Sequence, residues 1–299
     1  MKKRIQELKK EKNAIILAHY YAPAEVQEVA DYVGDSFYLA KVAKGSSADI
    51  IVFCGVAFMG ESAKILNPDK KVLMPDTSAD CPMAHMVKNG VIDEMRKKYD
   101  DLAVVCYINS TIELKAQSDV CVTSSNAVKV VNSLPNKNIF FIPDRNLGRY
   151  VAKQVKDKNI ILNDGCCPLH AHLSPSALRS LKALHPHAAV IAHPECSDEI
   201  LAMTDITGST AEMISHVKTS EKKEFIVCTE VGVLFKLEAD NPNKNFYFPD
   251  PLPVCTDMKL NTLNNLLSVL EKEDQEITVD DNTRKKALIP LERMLELAK

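Results

Sequence analysis

The sequence predicts an α/β protein built from three homologous three-layer α/β/α units, each with a small parallel sheet, arranged with pseudo-threefold symmetry around a central site. Two observations support this prediction. Short apolar runs rich in β-branched residues alternate with helical segments, which is typical of buried parallel strands. The polar residues that end these runs recur at fixed offsets, which indicates an internal repeat.

The repeat is defined by four sets of residues that share the same two offsets. His19 and Tyr107 end equivalent apolar runs and are 88 positions apart, and His193 follows Tyr107 by 86. The same two steps relate three further sets, namely Tyr21, Asn109 and Glu195; Ser36, Ser124 and Thr210; and Asp76, Asp164 and Asp250. Because four sets agree, we interpret the chain as three copies of one unit.

Each copy has the same order of elements: a strand, a helix, a short strand, a helix, a strand, a helix and a last strand. In the first copy the apolar runs predict strands near 14–19, 33–35, 50–54 and 71–74. The alternation of strands with helices favours a parallel sheet covered by helices on both faces.

The repeat also predicts the domain organisation. Residues 1–86 are expected to form the first unit with an N-terminal helix, 87–172 the second and 173–255 the third. Leucines at helical spacing in 256–299 predict a C-terminal helical segment that packs on the three units.

Composition excludes several classes of protein. The chain has 299 residues, of which 46% are hydrophobic and 26% charged, with a net charge of -3, so we expect a globular protein without a nucleic-acid partner. No apolar run is long enough to span a membrane, and the basic start lacks the apolar core of a signal peptide. We therefore expect a cytoplasmic protein, in which nine cysteines do not form a disulfide framework.

The repeated polar residues are expected to meet in one cavity. Ligands bind beyond the carboxyl ends of strands in parallel sheets. His19, Tyr107 and His193 end their strands there, so a threefold arrangement brings them together. The residues two positions later, Tyr21, Asn109 and Glu195, are expected beside them.

A set of hydroxyls predicts an anion site. Ser36, Ser124 and Thr210 each lie where a strand passes into a helix, next to unpaired backbone N–H groups that suit a carboxylate or a phosphate. The alternative is that each hydroxyl only caps its helix. Three equivalents in register favour the anion site.

The cysteines fall into two groups. Four of them lie in apolar, β-branched runs and are expected to be small buried core residues: Cys54, Cys106, Cys121 and Cys228. Cys81, Cys167 and Cys255 instead lie in polar turns at the end of each copy. Three thiolates about a threefold axis match three corners of a [4Fe–4S] cluster and leave one iron open. A zinc site formed by these cysteines with His170 or His85 is the competing interpretation.

The sequence resembles the quinolinate synthase family from about residue 5 to the C-terminus. The resemblance is carried by short blocks, which include Ala18-His19-Tyr20-Tyr21, Gly34-Asp35-Ser36, Tyr107-Ile108-Asn109-Ser110, Thr123-Ser124-Ser125-Asn126-Ala127, Pro143-Asp144-Arg145-Asn146-Leu147, His193-Pro194-Glu195-Cys196, Gly208-Ser209-Thr210 and Met258-Lys259-Leu260-Asn261-Thr262-Leu263. The resemblance implies three units around a central active site and one [4Fe–4S] cluster per chain, held by Cys81, Cys167 and Cys255.

The resemblance also implies the reaction. Iminoaspartate (iminosuccinate) and dihydroxyacetone phosphate condense to quinolinate in NAD biosynthesis, with loss of phosphate and two waters and with the open iron as a Lewis acid. The source of iminoaspartate is left open between an aspartate oxidase and an aspartate dehydrogenase. No nucleic-acid or membrane partner is expected.

Roles for individual residues follow from the matching motifs. The residues expected to bind substrate are His19, Ser36, Tyr107, Asn109, Ser124, His193, Glu195 and Thr210. The residues expected in catalysis are Glu195, Tyr21, His19, His193 and Tyr107. Glu195 is the first choice for general acid and base, on the expectation that a carboxylate in a closing cavity has a raised pKa.

Two positions depart from the family pattern. Tyr20 stands where the family usually has Asn, so packing at that strand end is expected to differ. Cys166 stands where the family often has His, which makes it an alternative ligand beside Cys167. Cys255 is not followed by a redox-active CxxC pair.

Two other functions also fit a three-cysteine cluster. A hydro-lyase of the aconitase type needs the open iron but not a phosphate site. An iron–sulfur redox sensor needs the cluster but not the convergent His, Tyr and Glu side chains.

Overall fold

The computed structural model describes all 299 residues and contains three separate sheets of four parallel strands. In each sheet the second strand of the unit lies at one edge, followed by the first, third and fourth strands. Helices flank the sheets, so the predicted α/β class with three similar units is confirmed.

The first sheet follows an N-terminal helix, α1 (Lys2–Glu11). Its strands are β1 (Ala14–His19), β2 (Tyr32–Gly34), β3 (Ile50–Cys54) and β4 (Lys71–Leu73). Its helices are α2 (Ala24–Val29), α3 (Ser36–Gly45) and α4 (Ala57–Leu66). The strands predicted from the apolar runs agree with these bounds to within one residue.

The second sheet has the same order of elements. Its strands are β5 (Leu102–Tyr107), β6 (Val120–Val122), β7 (Asn138–Ile142) and β8 (Asn159–Leu162). Its helices are α5 (Val91–Lys98), which precedes β5, α6 (Ile112–Ala116), α7 (Ala127–Ser133), α8 (Arg145–Gln154) and α9 (Pro168–Ala171).

The third sheet repeats the pattern again. Its strands are β9 (Ala189–Ala192), β10 (Ile206–Thr207), β11 (Glu224–Cys228) and β12 (Asn245–Tyr247). Its helices are α10 (Pro175–Leu184), which precedes β9, α11 (Asp198–Leu201), α12 (Thr210–Thr219) and α13 (Val233–Asp240).

Burial explains why the central strands read as continuous apolar runs. Every residue of β3, β5 and β9 is buried, because both faces of each sheet are covered by helices. The cysteines predicted to be core residues, together with Cys196, are buried in these layers.

The C-terminal segment forms two further helices, α14 (Leu263–Lys272) and α15 (Asp281–Leu297). Helix α14 packs on α1, and α15 packs on α4, α6 and β6, so it bridges the first and second sheets. No helix in the structure is both long enough and apolar enough to cross a membrane. The unit boundaries given above stay a prediction.

Candidate active site

A cavity of about 250 Å³ lies where the carboxyl ends of the strands from all three sheets meet. The residues first proposed from the sequence for substrate binding, catalysis and the cluster line its wall: His19, Tyr21, Ser36, Cys81, Tyr107, Asn109, Ser124, Cys167, His193, Glu195, Thr210 and Cys255. The alternative metal ligands Cys166 and His85 do not line it, whereas His170 does. Parallel strands place their carboxyl ends on one edge, and the shared topology of the three sheets makes equivalent positions converge.

The loops after the first strands are held by buried donors from the helices that follow. The Gln27 amide donates to the Ala22 carbonyl (2.8 Å), and the Lys115 ammonium donates to the Ser110 carbonyl. Both donors are buried, and the two pairs are equivalent in the repeat, at an offset of 88. The loops that carry Tyr21 and Asn109 are therefore anchored in the same way.

The hydroxyls of Ser36 and Thr210 are not helix caps. The preceding residues, Asp35 and Ser209, cap α3 and α12 by accepting hydrogen bonds from backbone N–H groups in the first turn. The capping alternative is therefore wrong for Ser36 and Thr210, whose side chains face the cavity at helix N-termini. Ser124 also lines the cavity, in the turn before α7.

His19 is a neutral imidazole. Its Nδ1 accepts a hydrogen bond from the backbone N–H of Tyr21 (3.1 Å), which assigns the ring proton to Nε2. Burial, followed by the charges of His193 and Lys259, lowers the pKa of His19 to about 3. The ring can therefore offer a hydrogen-bond donor to a ligand without carrying charge.

Glu195 is the carboxylate of the cavity, and it is 3% exposed. Its Oε2 lies 2.7 Å from His170 Nδ1 and 3.5 Å from His193 Nδ1, whereas its Oε1 is buried with no hydrogen-bond partner. A buried oxygen without a partner is costly, so this atom is the part of Glu195 that is available to a ligand.

The expectation of a raised pKa for Glu195 is wrong. Burial raises its pKa, but the neighbouring His193 and His170 outweigh burial and hold the pKa well below its ordinary value. Histidine rings within hydrogen-bond distance favour the ionised form of a carboxyl group. Glu195 is therefore a carboxylate at neutral pH, ready to accept a proton rather than to donate one.

A chain of hydrogen bonds connects Glu195 with Tyr21 on another side of the cavity. The hydroxyl of Tyr21 lies 2.8 Å from Thr210 Oγ1 and 2.7 Å from Thr229 Oγ1. Thr229 Oγ1 lies 2.9 Å from His170 Nε2, and the other nitrogen of that ring contacts Glu195. The chain joins residues of all three predicted units, and Thr229 at its centre is fully buried.

The tyrosines of the site keep their protons. Burial raises the pKa of Tyr21 well above 10, against the hydrogen bonds from Thr210 and Thr229. Burial and the charge of Glu195 raise the pKa of Tyr107 in the same direction. Both side chains are therefore hydrogen-bond donors at neutral pH.

Three short segments, here called the cysteine turns (79–81, 165–167 and 253–255), end on the cysteines that line the cavity. The same backbone hydrogen bond holds each turn to the loop after the third strand of its sheet. The three bonds are Ala57 N–H to Ala79 O (2.8 Å), Arg145 N–H to Gly165 O (2.7 Å) and Val231 N–H to Pro253 O (2.9 Å). The cysteine follows two residues after the accepting carbonyl in every case, which makes Cys167 the equivalent of Cys81 and Cys255.

Cys166 does not occupy that position. Its backbone N–H points to the Met86 sulfur (3.5 Å), and its side chain does not line the cavity. At Gly165, a Cβ atom would lie 2.6 Å from the Pro143 carbonyl oxygen, so the close approach of this turn to the loop requires glycine.

Two buried acids lie behind the cysteine turns. Asp144 Oδ2 accepts a hydrogen bond from the Cys167 N–H (2.9 Å), and Glu230 Oε1 accepts one from the Cys255 N–H (3.1 Å). Both acids are 0% exposed. Burial raises the pKa of each carboxyl group, to about 7 for Asp144. Lys259 forms an ion pair with Glu230 (2.8 Å).

The donor set of the cavity fits a metal cofactor. Cys81, Cys167 and Cys255 are free thiols on one wall, and burial raises the pKa of each, so they ionise only when a cation compensates for the charge. A second arrangement is also present: one ligand atom each from Cys167, His170 and Glu195 lie within 4.8 Å of one another, which is close enough for a single ion.

Comparisons with known proteins agree on one family. The family model described as Quinolinate synthetase A protein matches residues 3–296. The chain is 56% identical to a quinolinate synthase of Fusobacterium nucleatum over 298 residues, covering 100% of this chain and 99% of the relative. The chain belongs to the quinolinate synthase family.

Further relatives support this membership. A quinolinate synthase of Clostridioides difficile is 50% identical and one of Caldicellulosiruptor saccharolyticus is 48% identical, with at least 97% of each chain covered. The chain is thus an enzyme, a synthase of NAD biosynthesis that acts on small molecules. Membership of the quinolinate synthase family implies a metal cofactor, in agreement with the thiols on the cavity wall.

The sequence interpretation missed several residues of this site. Asp144 and Glu230 are separated by the repeat offset of 86, so the repeat itself could have revealed them. Thr229 gives no such signal, because its equivalents are Gly55 and Pro143. The sequence suggests His170 only as a zinc ligand, whereas the structure pairs it with Glu195.

Proposed function

We propose that this chain is a quinolinate synthase that condenses iminoaspartate with dihydroxyacetone phosphate, with release of phosphate and two waters. One observation carries the proposal. A single cavity combines three cysteine thiols with a buried carboxylate, Glu195, and an amide, Asn109, and each of these two side chains has a buried oxygen without a partner. A ligand bound in the cavity can supply the donors that these oxygens lack.

Both substrates are anions, and the cavity offers groups that bind anions. The hydroxyls of Ser36 and Thr210 stand at the first positions of ten-residue helices, where backbone N–H groups and the helix dipole attract negative charge. Ser124 supplies a third hydroxyl. We assign the phosphate and the carboxylates to these three positions, with Asn109 accepting a hydrogen bond from the substrate.

Proton transfer is assigned to Glu195 and the chain behind it. The ionised carboxylate accepts a substrate proton at Oε1, while His170 holds Oε2 and fixes the orientation of the group. Tyr21 and Tyr107 donate hydrogen bonds to substrate oxygens, and the neutral His19 donates through Nε2. His193, which stacks on His170 at 4.8 Å between ring centroids, completes this side of the site.

Cys81, Cys167 and Cys255 would hold one [4Fe–4S] cluster per chain. When bound, a cluster with three protein ligands supplies an open iron that acts as a Lewis acid during loss of water. Thiols of this kind need a reducing compartment, so we place the protein in the cytoplasm. An aspartate oxidase or an aspartate dehydrogenase would supply the iminoaspartate.

The test is a product assay joined to metal analysis. Protein purified without oxygen is expected to contain about four irons and four sulfides per chain. It should form quinolinate from dihydroxyacetone phosphate and iminoaspartate generated in the assay. An intact cluster without quinolinate formation would favour the hydro-lyase or the redox sensor. One zinc per chain without sulfide would favour the single-ion site of Cys167, His170 and Glu195.

A further inference from the structure

The buried acids Asp144 and Glu230 occupy one position of the repeat. They follow the third strands of the second and third sheets and are separated by 86 positions, while the equivalent residue of the first sheet is Val56. All three side chains are buried, at 2% exposure for Val56 and 0% for the two acids. An apolar residue therefore satisfies this position in the first unit, and the repeated fold does not itself require an acid there.

A fully buried carboxyl group is expensive unless all its oxygens are paired. Each oxygen of both acids has at least one partner. Asp144 Oδ1 accepts from the Leu147 N–H (2.6 Å) and its Oδ2 from the Cys167 N–H (2.9 Å). Glu230 Oε2 accepts from the Gly232 N–H (2.6 Å), and its Oε1 pairs with the Cys255 N–H and with Lys259. Both acids have one kind of contact in common at the cavity: each accepts a hydrogen bond from the backbone N–H of a cysteine.

The first cysteine turn lacks this support. The N–H of Cys81 donates instead to Asp80 Oδ1 (2.7 Å), the side chain of the residue directly before it. The side chain of Asp80 is 44% exposed, so water can replace it. The same hydrogen bond is therefore made by buried acids at two cysteines and by an exposed acid at the third.

We propose that Asp144 and Glu230 are positioning residues that preset Cys167 and Cys255 for metal binding by fixing the backbone of their turns from inside the protein. The metal-binding part of this inference rests on the proposed function, whereas the fixing of the turns does not. Each acid connects the loop after a third strand to the ligand of the same unit. The amides Asp144→Asn and Glu230→Gln remove one acceptor oxygen whatever the charge of the acid.

The first test measures the thiols in metal-free protein. Alkylation of each cysteine by iodoacetamide is followed by mass spectrometry under native conditions. Asp144→Asn should raise the rate at Cys167 by roughly tenfold, the effect of about one buried hydrogen bond, and should leave Cys255 unchanged. Glu230→Gln should raise the alkylation rate at Cys255 and leave Cys167 unchanged. Asp80→Asn, the exposed control, should change Cys81 by less than about twofold.

The second test measures the loaded protein. Both amide variants should lose iron and sulfide to a chelator faster than the native chain, whereas Asp80→Asn should not. Native rates of alkylation and iron loss in both amide variants would overturn the proposal. If native protein holds no cluster, the proposed function fails while the alkylation result still decides whether the acids fix the turns.

A measurement on the unmodified chain covers the case in which a variant does not fold. In metal-free native protein, the amide hydrogens of Cys167 and Cys255 should exchange with solvent at least tenfold more slowly than that of Cys81. Equal exchange at the three cysteines would show that the buried acids confer no special order on their turns, and the inference would be wrong.

Discussion

Two regions of the cavity wall differ in whether their buried carboxylate and amide oxygens have hydrogen-bond partners. The region here called the polar wall consists of the residues at the first-strand ends and the three hydroxyl positions: His19, Tyr21, Tyr107, Asn109, His193, Glu195, Ser36, Ser124 and Thr210. The region here called the cysteine wall consists of the cysteine turns with Asp144 and Glu230. On the polar wall Asn109 Oδ1 and Glu195 Oε1 are unpaired, whereas on the cysteine wall every oxygen of the two buried acids is paired.

The difference separates side chains that bind a ligand from side chains that hold other protein groups in place. An unpaired buried acceptor costs free energy in the empty protein, and a ligand that supplies the donor removes that cost on binding. An acceptor that is already paired within the protein carries no such cost, so a ligand gains less from it and its main effect is to hold other protein groups in place. On this basis we propose Glu195 for the chemistry and Glu230, which is also buried, for the scaffold.

The largest effect is expected from replacing a cysteine of the cysteine wall. Cys167→Ser should abolish iron and sulfide binding and reduce quinolinate formation to background, because a serine oxygen is a poor substitute for a thiolate ligand. Cys166→Ser should retain the cluster and most of the activity, since the side chain of Cys166 does not line the cavity. Metal analysis and product assay on the same anaerobic preparations check both variants.

A core cysteine provides the matched control for the cysteine prediction. Cys106 is fully buried in β5, so Cys106→Ser should lower the free energy of unfolding by about 1–3 kcal/mol without changing the iron content. If Cys167→Ser kept the cluster and Cys166→Ser lost it, the metal ligand would be Cys166. That result would contradict the equivalence of Cys167 with Cys81 and Cys255, which is inferred from the repeated backbone hydrogen bond.

The next largest effect is expected from a substitution in the polar wall, which should not change metal binding at the cysteine wall. Glu195→Gln keeps the size of the side chain but removes the base, so turnover should fall by roughly 10²–10⁴. Iron content should not change, because no thiol ligand is altered. Substrate binding should weaken much less than turnover, since the amide still makes polar contacts. The measurements are quinolinate formation and cluster absorbance on one preparation.

Two outcomes of the Glu195→Gln experiment would contradict the comparison between the walls. Near-normal turnover with an intact cluster would remove Glu195 from the chemistry and transfer the role to Tyr21 or His193. Loss of the cluster would show that Glu195 supports the metal site, in agreement with the alternative ion site formed with Cys167 and His170.

Much of this arrangement could be predicted from the sequence because the repeat fixes which residues are equivalent. Offsets of 88 and 86 located the strand ends, and the carboxyl ends of parallel strands share one edge. The predicted strand at 50–54 agrees with β3, because a fully buried strand leaves a continuous apolar run.

The remaining features depend on contacts between units, which an offset within the chain does not encode. The expected direction of the Glu195 pKa is wrong because the sequence indicates burial but not that His193 and His170 both approach the carboxylate. Thr229 was missed for a related reason. Its hydroxyl matters only because Tyr21 and His170 approach it from two other units.

The smallest expected effect tests Thr229, which connects the polar wall to the interior. Thr229→Val keeps the shape of the side chain but removes the hydroxyl that contacts Tyr21 (2.7 Å) and His170 (2.9 Å). Tyr21 retains its bond to Thr210, and His170 retains its contact with Glu195, so the chain is interrupted at one point only. Both hydrogen bonds of the hydroxyl are lost, so turnover should fall by roughly ten- to thirtyfold, with unchanged iron content.

The matched variant Thr229→Ser decides what the hydroxyl does. Serine restores the donor and acceptor but lacks the methyl group, so near-native turnover in Thr229→Ser with a low value in Thr229→Val would assign the effect to the hydrogen bonds. Equal losses in both variants would assign it to packing of the methyl group. Native turnover in Thr229→Val would mean that Tyr21 and Glu195 act independently, because breaking their only intervening hydroxyl in this chain would then have no consequence for the reaction.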